Sequence, residues 1–472
     1  MPANNTGERL NALAHGQARK STPMNSRLSD RTAPGVVFWF RHDLRLHDQL
    51  ALGHAVARAR SLGGWLLPIY VHDEGWHAMT AWGFQRTGAH RDAWLRMALQ
   101  DLSHRLTGLG SALVQTAGDP VRLLASLVQA LDNPLLVCED LPAPEEQAQV
   151  QALRRSGVTV ETVWQSTLMA PEALPFLPEE VPDRFTSFRQ RLEREAIRAT
   201  PPLPPIQALA PLPPQQVLQT CLALLPPAPA IDDALAQPID QRSAFPWGPS
   251  GLCGGETAAL AHLEQYCHKG LPHTYKATRN GLVGIDCSSK WSPWLATGAL
   301  SARQAWAAIL AFEAEHGASD STYWLGFELL WRDHFRWLHC KHGKKLYMAQ
   351  GLSERAPPPH NATAFAHWCQ GKTGQPFIDA GMKELAATAY LSNRMRQNCA
   401  SYLVHDLACD WRAGAAWFEA RLIDYDVFSN QGNWLYISGH GTDPRPDRRF
   451  NPELQANTYD PNGHYRKLWA ST

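Results

Sequence analysis

The stretch LIDYDVFSNQGNW, residues 422–434, is the most informative part of this 472-residue chain. It places the side chains of Asp424, Asp426, Asn430 and Trp434 among apolar and aromatic neighbours. Carboxylates and amides in such surroundings need partners, because an unpaired buried polar group is costly. A bound polar heterocycle would supply those partners. The stretch therefore predicts a site for such a ligand, with Trp434 as a redox-active neighbour.

Around this stretch the hydrophobic pattern is helical. From about residue 255 onward, the spacing of apolar residues predicts helices separated by short loops rich in Gly, Pro and Asn, and no strand. The predicted helices cover residues 257–267, 302–315, 322–339, 385–407 and 413–422. Residues 251–472 are therefore expected to form an all-α domain.

The first part of the chain has a different pattern. Short apolar runs at residues 36–40, 65–71, 112–115, 135–138 and 158–163 predict strands, and helical segments lie between them. Strands that alternate with helices indicate a parallel sheet with helices on both faces, so residues 35–168 are expected to form an α/β domain. No G-x-G-x-x-G follows the first strand, which argues against a dinucleotide-binding domain of the Rossmann type.

Residues 169–250 are expected to connect the two domains. Ten prolines lie between residues 201 and 230, so this part is predicted to lack a regular helix and to run partly extended across the surface. Residues 1–34 are polar and mildly basic, without the apolar core of a secretory signal, and are expected to be a disordered extension.

Composition limits the classes of partner. Lys plus Arg and Asp plus Glu both number 44, so an anionic partner must be held by a local basic patch. The nine cysteines show no metal-ligand spacing, so no metal site is expected, and they suit a reducing compartment such as the cytoplasm. No apolar run approaches the ~20 residues that cross a bilayer, so no membrane association is expected.

A second polar cluster precedes a short predicted helix. In SSKWS, residues 288–292, three hydroxyls and one ammonium group lie together, as a diphosphate cradle would require. Serine clusters are also common helix caps, and this alternative stays open from the residues alone.

Two helical segments carry further polar faces. Glu328, Trp331 and Arg332 are spaced i, i+3, i+4 and share one face, which is costly to bury without a ligand. The alternative is an exposed stripe with an ion pair. Residues 393–397 repeat this spacing, and there Arg396 is the expected ion-pair partner of Asp424.

Together these motifs resemble the photolyase/cryptochrome family, and within it the DASH cryptochromes, which act as single-strand-selective cyclobutane pyrimidine dimer photolyases. The resemblance runs from Phe38 to Trp469. It is carried by FWFRHDLRLHD (38–48), YKATRNGL (275–282), STYWLGFELLWRD (321–333), GKTGQPFIDA (371–380) and CDWRAGAAWFEARLIDYD (409–426). It implies an antenna-type α/β domain and a helical FAD-binding catalytic domain.

The resemblance also implies roles for residues around FAD. Asn430 would face flavin N5, where an amide favours the anionic, fully reduced flavin, and Trp411 and Trp434 would belong to the electron-transfer chain. The third member of that chain is missing, since Pro358 stands near its place, and Trp368 or Tyr347 could substitute. The implied cofactor-binding residues are Tyr275, Ser288, Ser289, Lys290, Trp291, Ser292, Arg332, Asn393, Arg396, Asp424, Asp426 and Asn430.

On the DNA side, the resemblance places Glu328 and Trp331 against the pyrimidine dimer. Gln397 and Tyr436 replace a Met and a Trp of ordinary photolyases and make the cavity more polar, which favours dimers in single-stranded DNA. Arg445 is expected to hold backbone phosphate. A folate antenna, 5,10-methenyltetrahydrofolate, is also considered, with Asp140 near the place of a folate-binding Glu.

The expected function is blue-light-driven splitting of cyclobutane pyrimidine dimers by an electron from reduced FAD, in a monomeric protein. Two alternatives remain: a signalling cryptochrome without repair activity, and an ordinary photolyase acting on duplex DNA. A six-four photolyase is disfavoured, because no His stands in the segment at 391–393.

Overall fold

The computed structural model describes residues 34–228, 240–248, 252–356, 360–442 and 448–470. Its first part is a five-stranded parallel sheet with the order β3-β2-β1-β4-β5. Every residue of the central strand is buried, because helices cover both faces of the sheet. The strands are β1 Gly35–Phe40, β2 Trp65–Asp73, β3 Val114–Gly118, β4 Leu135–Glu139 and β5 Val160–Val163.

The helices between these strands are α1 Leu50–Ser61, α2 Ala89–Gly108, α3 Pro120–Ala130 and α4 Pro144–Arg155. Asp119 caps α3 by accepting a hydrogen bond from the Arg122 amide, and Pro120 is its first residue. The α/β prediction is confirmed, and the helix between β2 and β3 begins only at Ala89. Residues 79–85 form a tight hairpin before it, closed by a bridge between Met79 and Gln85.

The Pro-rich segment contains a helix that the sequence analysis excluded. Residues 201–214 have no regular structure, yet α6, Gln215–Leu224, follows, after α5, Phe185–Arg194. The prediction was wrong here because prolines lie on both sides of QQVLQTCLAL and none lies within it. The extended part runs along the α/β domain, where the Ile206 amide donates to the Leu46 carbonyl.

The remainder of the described chain is helical, as predicted. The helices are α7 Glu256–His268, α8 Tyr275–Thr278, α9 Ser292–Thr297, α10 Ala302–His316, α11 Asp320–His342, α12 Ala362–Cys369, α13 Pro376–Thr388, α14 Asn393–Ser401, α15 Trp411–Arg421, α16 Val427–Ser438, α17 Pro452–Tyr459 and α18 His464–Leu468. In the part of the chain that the structure describes, no helix combines the length and the apolar character needed to cross a bilayer.

The single helix predicted at 385–407 is instead two helices and a π-helical turn. Helix α13 ends at Thr388, its C-cap residue Ala389 has a left-handed φ of 56°, and α14 begins after the Ser392 cap. A π-helical turn then spans Tyr402–Asp406. The break brings the first turn of α14 beside the chain that precedes α16, because the Ile423 amide donates to the Ala389 carbonyl.

Buried polar contacts join the two domains. The loop after β1 places Asp48 against Arg303 of α10, with 2.9 Å between Arg303 Nε and Asp48 Oδ2. The buried Glu256 of α7 accepts hydrogen bonds from the amides of Leu46 and His47 and pairs with Arg105 of α2. These contacts position the loop at the carboxyl end of β1 against the helical domain.

Candidate functional site

A buried carboxylate lies at the centre of the site. Arg396 Nη2 of α14 donates to Asp424 Oδ2 over 2.8 Å, so the ion pair predicted from the sequence is confirmed. The other oxygen, Asp424 Oδ1, is buried without a hydrogen-bond partner. Because an unsatisfied buried acceptor is costly, this oxygen favours a ligand that carries a hydrogen-bond donor.

Asp426 is held by a second cation. It caps α16 by accepting from the Ser429 amide, and Arg336 Nη2 of α11 donates to its Oδ2 over 2.6 Å. Burial alone would raise the pKa of Asp426, but Arg336 and Arg332 outweigh it and hold that pKa well below its ordinary value. Asp426 therefore stays ionised in this pocket.

The SSKWS segment, residues 288–292, is a strained loop beside the pair of Asp424 and Arg396. Ser288 and Lys290 both have left-handed backbones, with φ values of 78° and 58°. The Lys290 side chain is buried and lies over the Tyr390 ring, 5.1 Å from its centroid. Ser292, by contrast, is exposed, and α9 begins there without a side-chain cap. The loop thus directs a cation inward.

Two further predicted residues of this cradle are aromatic. The indole Nε1 of Trp291 is buried without a hydrogen-bond partner, so it is a donor available to a ligand. Tyr275 is also buried, and burial raises the pKa of its phenol well above the ordinary value. The Trp291 indole and the Tyr275 phenol are therefore uncharged groups of this predicted cradle.

The three residues predicted to share one polar face of α11 have different partners in the structure. Glu328 pairs with Arg279, which follows α8, and burial raises the pKa of Glu328 although Arg279 opposes the shift. Trp331 packs face to face on Phe185, with ring centroids 3.8 Å apart. Arg332 turns away toward the α/β domain, where its Nη1 donates to the Ser166 carbonyl over 2.6 Å. Arg332 therefore does not share the surroundings of Trp331.

A cavity of about 440 Å³ opens beside Trp331. Tyr436 of α16 also lines it and meets Trp331 edge to face, with ring centroids 5.9 Å apart and the two planes at 75°. Most of the wall is apolar, from Phe185, Phe335 and Leu435. Such a cavity suits a planar, partly polar ring system.

The predicted residues of α14 differ in their surroundings. Asn393 is exposed at the start of the helix, whereas Gln397 is half-buried and its Oε1 lacks a partner. Asn430 of α16 is half-buried and uses its amide to donate to the Ala415 carbonyl over 3.0 Å. That hydrogen bond uses the amide nitrogen of Asn430, so it does not engage the amide oxygen.

The two predicted electron-transfer tryptophans are core residues of the helical domain. Trp434 and Trp411 are almost fully buried, and Trp411 Nε1 donates to the Ala349 carbonyl. Trp368 is fully buried as well, with its ring centroid 6.5 Å from that of Trp434, so it is not the surface aromatic that was expected. Tyr347 is partly buried and bonded to His339. Pro358 lies outside the described residues.

Asp140, the predicted antenna contact, follows β4 in the α/β domain, and its Oδ1 accepts a hydrogen bond from Gln147 Nε2 over 3.1 Å. Arg445 lies outside the described residues. Among those that are described, no group of His, Cys, Asp or Glu side chains could hold a metal ion.

Sequence reasoning missed three charged residues of this region. Arg336 lies four residues after Arg332, just beyond STYWLGFELLWRD, and only the fold shows that it reaches Asp426. Arg279 was within YKATRNGL and gave no spacing signal toward Glu328. Glu384 is buried on α13, with Oε2 bonded to the Tyr465 hydroxyl and Oε1 without a partner, and nothing in its sequence neighbourhood indicated this.

Comparisons with known proteins agree with this geometry. Residues 36–208 match the family model described as DNA photolyase, and residues 324–472 match the model described as the FAD binding domain of DNA photolyase. A protein of Gloeobacter violaceus named cryptochrome DASH is 41% identical over 458 residues, which cover 92% of this chain and 85% of that protein. A cryptochrome DASH of Xenopus laevis is 40% identical, with coverage of 92% and 82%.

Solved structures show the same fold. The cryptochrome of Synechocystis sp. PCC6803 has a TM-score of 0.85 and 38% identity, with 93% of this chain and 89% of that chain covered. A class III photolyase of Agrobacterium tumefaciens has a TM-score of 0.73 and 29% identity, with coverage of 94% and 88%. The chain therefore belongs to the photolyase/cryptochrome family, as an FAD-dependent member of the DASH type.

Proposed function

We propose that this protein uses blue light and reduced FAD to split cyclobutane pyrimidine dimers in DNA, preferentially in single strands. The observation that carries the proposal is the cavity lined by Trp331 and Tyr436, which lies in the same helical domain as the half-satisfied Asp424. A pyrimidine dimer turned out of the DNA stack and a flavin each have the size and the polar edge that these two places suit.

The residues present fit FAD. Asp424 Oδ1 would accept from an N–H of the isoalloxazine, while Arg396 holds the other carboxylate oxygen in place. Lys290, Ser288 and Ser289 would hold the diphosphate, with Tyr275, Trp291 and Ser292 beside them. Asp426 and Asn430 are proposed to complete the cofactor site, with Asn430 at flavin N5. Arg332, which is bonded to the Ser166 carbonyl, and the exposed Asn393 would have to turn toward the flavin to join them.

When bound and reduced, FAD supplies the electron that opens the cyclobutane ring, and the electron returns once the two pyrimidines are restored. The protein must exclude water and hold the dimer close. Trp331 offers one ring face for this, since Phe185 covers the other. Glu328, with its raised pKa, would be a hydrogen-bond donor to a dimer carbonyl in its neutral form.

The preference for single strands rests on Gln397 and Tyr436. A duplex must lose pairing and stacking before a dimer enters the cavity, and a wall with a polar amide and a phenol offsets less of that cost than Met and Trp would. Tyr436 lines the cavity, and Gln397, which does not, has a buried Oε1 without a hydrogen-bond partner. Arg445 is proposed to hold backbone phosphate.

Trp434 and Trp411 are proposed to carry the electron that first reduces FAD. Indoles are oxidisable, and the buried positions of both rings protect the transfer from solvent. Trp368, which neighbours Trp434, is proposed as a side branch.

A folate antenna, 5,10-methenyltetrahydrofolate, is proposed at the α/β domain, with Asp140 as one of its contacts. The proposed division is an antenna-type domain at 35–168, a connector at 169–250 and a catalytic domain at 251–472. A monomer in the cytoplasm completes the proposal.

Illumination of the reduced protein with oligonucleotides that contain one cyclobutane thymine dimer tests this function. Restored thymines are scored in single-stranded and in duplex substrate. Repair confined to single strands is expected. Equal repair of both would make the protein an ordinary photolyase, and no repair of either, with FAD still photoreducible, would make it a signalling cryptochrome.

A further inference from the structure

Tyr347 and His339 form a hydrogen-bonded pair at the end of α11. His339 lies in the last turn of that helix and is 2% exposed, and Tyr347 ends the 3₁₀ turn Gly343–Tyr347 that follows. The Tyr347 hydroxyl oxygen is 3.0 Å from His339 Nε2, and the two ring planes meet at 75°. A phenol and an imidazole in direct contact can exchange a proton, so the protonation state of each group decides what the pair does.

The other ring nitrogen of His339 fixes the direction of this hydrogen bond. Nδ1 lies 2.7 Å from the Phe335 carbonyl oxygen, which can only accept, so Nδ1 carries a proton. Burial lowers the pKa of His339 to about 4, so at pH 7 the ring is neutral and Nε2 is an acceptor. Burial raises the pKa of Tyr347 well above its ordinary value, so the phenol keeps its proton. Tyr347 is therefore a phenol that donates a hydrogen bond to an unprotonated base.

Tyr347 lies close to the tryptophans that are proposed to reduce FAD. It packs against the buried cluster that contains Trp411 and Trp434. Trp411 Nε1 donates to the carbonyl of Ala349, two residues after Tyr347, over 3.0 Å. Because consecutive Cα atoms are about 3.8 Å apart, the Tyr347 Cα lies at most about 13 Å from that indole nitrogen. Electrons cross distances of this order between packed aromatic side chains.

Of the two aromatic residues considered for the missing member of the electron-transfer chain, Tyr347 is the more accessible. Trp368 is fully buried, whereas Tyr347 is half-buried, so a soluble reductant can restore Tyr347 more easily. A phenol gives up an electron readily only when its proton leaves at the same time, because the phenol radical cation is a very strong acid. The base at His339 Nε2 meets that condition for Tyr347.

We propose that Tyr347 and His339 together are the terminal electron donor of the tryptophan chain, in which Tyr347 gives the electron and His339 takes the proton. The inference rests on the proposed reduction of FAD through Trp434 and Trp411, which leaves an indole radical cation at Trp411. One electron passes from Tyr347 to that indole, and the phenolic O–H bond breaks as its proton moves along the hydrogen bond to Nε2. The products are a neutral indole, a neutral tyrosyl radical and an imidazolium, so the single positive charge has moved from Trp411 to His339.

The surroundings of His339 suit a proton that stays only while the radical lasts. The carboxylates of Asp426 and Glu146 attract the positive charge, whereas burial and Arg336 oppose it. A phenol radical cation is a stronger acid than this imidazolium, so the proton leaves Tyr347 with the electron. Nδ1 keeps its hydrogen bond to the Phe335 carbonyl throughout, so the ring does not have to turn. Once a soluble thiol reduces the radical, the buried imidazolium returns the proton to Tyr347.

Transient absorption after a blue flash, on the purified protein with oxidised FAD bound, tests the proposal. A neutral tyrosyl radical has a narrow violet band, whereas tryptophan radicals absorb broadly in the green, so the two radicals are followed separately. In the unchanged protein the tyrosyl band should rise as the tryptophan band decays. The rise should be slower in heavy water, because the phenolic O–H bond breaks in the same step.

His339→Gln separates proton transfer from the structural contact. The Gln amide oxygen can still accept the Tyr347 hydrogen bond, but it is too weak a base to take the proton. The yield of tyrosyl radical should therefore fall at least about tenfold.

Tyr347→Phe should abolish the tyrosyl band and leave the tryptophan radical to decay by recombination. Tyr323→Phe is the matched control, because the Tyr323 hydroxyl also donates to a side-chain acceptor, Glu193 Oε1, over 2.9 Å. Tyr323 lies about 24 Å from His339 along α11, so this variant should leave both bands unchanged.

A tyrosyl radical that forms equally fast in His339→Gln, or a rise that heavy water does not slow, shows that the hydrogen bond is only structural and that the proposal is wrong. A tryptophan radical that decays in the unchanged protein without any tyrosyl band also overturns it, while the chain of Trp434 and Trp411 stands. If no tryptophan radical forms although FAD is bound, the proposed chain itself fails, and this donor fails with it. Flavin absorbance and circular dichroism of each variant confirm before the flash that FAD is bound and that the helical domain is folded.

Discussion

At the scale of single residues, two buried carboxyl groups of the helical domain are each satisfied on one side only. Asp424 and Glu384 both have one bonded and one free carboxylate oxygen. Leaving such groups unsatisfied costs about 1–3 kcal/mol each, which a correctly placed ligand offsets. The arrangement therefore lowers the stability of the empty protein and favours the bound form.

Asp424→Asn should weaken FAD binding. The amide cannot pair with Arg396 or accept as strongly from the isoalloxazine, and a loss of roughly 2 kcal/mol corresponds to about a 30-fold higher dissociation constant. Flavin fluorescence during titration measures it. Asp410→Asn is the control, since Asp410 also pairs with an arginine and caps a helix, and Asn preserves the cap. Equal losses in both variants would show a general effect of the substitution.

Trp434→Phe should slow photoreduction of bound FAD by more than an order of magnitude and leave flavin content nearly unchanged. Phenyl fills most of the indole volume but is much harder to oxidise. Absorbance of the flavin under blue light with an external reductant gives the rate. Trp65→Phe, a buried tryptophan of the β-sheet, provides the comparison. An unaltered rate would remove Trp434 from the electron-transfer chain.

Because Glu139 is buried, we expect the free energy of unfolding to depend on pH. This buried carboxyl group at the end of β4 has an unpartnered Oε2, and burial raises its pKa to about 8. The folded state therefore holds a proton that the unfolded state has lost above its ordinary pKa. Stability falls as pH rises from about 5 to about 8, by up to about 1.4 kcal/mol per unit from this group.

Glu139→Gln removes that slope. The difference in free energy of unfolding between the variant and the unchanged protein should grow in favour of the variant from pH 5 to pH 8, as urea titrations measure. A constant difference over this range would show that Glu139 titrates normally.

At the scale of elements, left-handed residues decide where helices stop and how closely the next element approaches. Gly298 ends α9 with a φ of 72°, and a Cβ there would stand 1.9 Å from the His42 carbonyl oxygen. Gly270 has a similar φ of 69°, but no atom lies within 4 Å of the position its Cβ would take. These two glycines differ only in their neighbours.

Gly298→Ala should therefore destabilise the protein far more than Gly270→Ala. The strained backbone alone costs about 1–2 kcal/mol, which is the expectation for Gly270→Ala. Overlap with the His42 backbone adds a further cost, so Gly298→Ala should lose more than about 3 kcal/mol. Thermal unfolding measures the loss of stability in each variant. Equal losses would mean that the His42 backbone moves aside without cost.

The elements that the sequence predicted well are those with long, uninterrupted patterns. Helix α11 was expected at 322–339 and spans Asp320–His342. The errors at 385–407 and at α6 are of different kinds. At 385–407 a break in the helix was not predicted, and at α6 a helix was not predicted. Ala389 takes a left-handed conformation that no local preference indicates, because tertiary contacts impose it. At α6, the prolines were counted over residues 201–230 as a whole, although the part that forms the helix contains none.

At the scale of the whole molecule, buried ion pairs fasten the α/β domain to the helical domain. Asp48 is fully buried and Arg303 nearly so, and Asp48 Oδ1 also accepts from the Leu203 amide of the connector. Three separate parts of the chain therefore meet at one carboxylate. Such a pair is costly to break because the remaining charge stays buried.

Arg303→Met should destabilise the protein by about 3–5 kcal/mol, while the double variant Asp48→Asn with Arg303→Met should lose much less. The single variant leaves Asp48 charged without its partner, whereas Asn still accepts from Leu203. Free energies of unfolding in urea form the double-mutant cycle. Additive losses would show that the two side chains do not interact across the domains.

The sequence by itself determined the α/β and helical halves, the resemblance to photolyases and cryptochromes, and the pairing of Arg396 with Asp424. The two halves and the resemblance depend on local periodicity and on residue types within short motifs, which are legible without coordinates. The pairing of Arg396 with Asp424 was expected from their opposite charges, and the structure shows the contact. Only the tertiary structure decided that Arg332 turns toward Ser166, that Trp368 is buried beside Trp434, and that Glu384 is bonded to Tyr465 through one oxygen only. Those facts depend on which distant segments pack together, and burial, which sets the charge states of these groups, exists only after that packing.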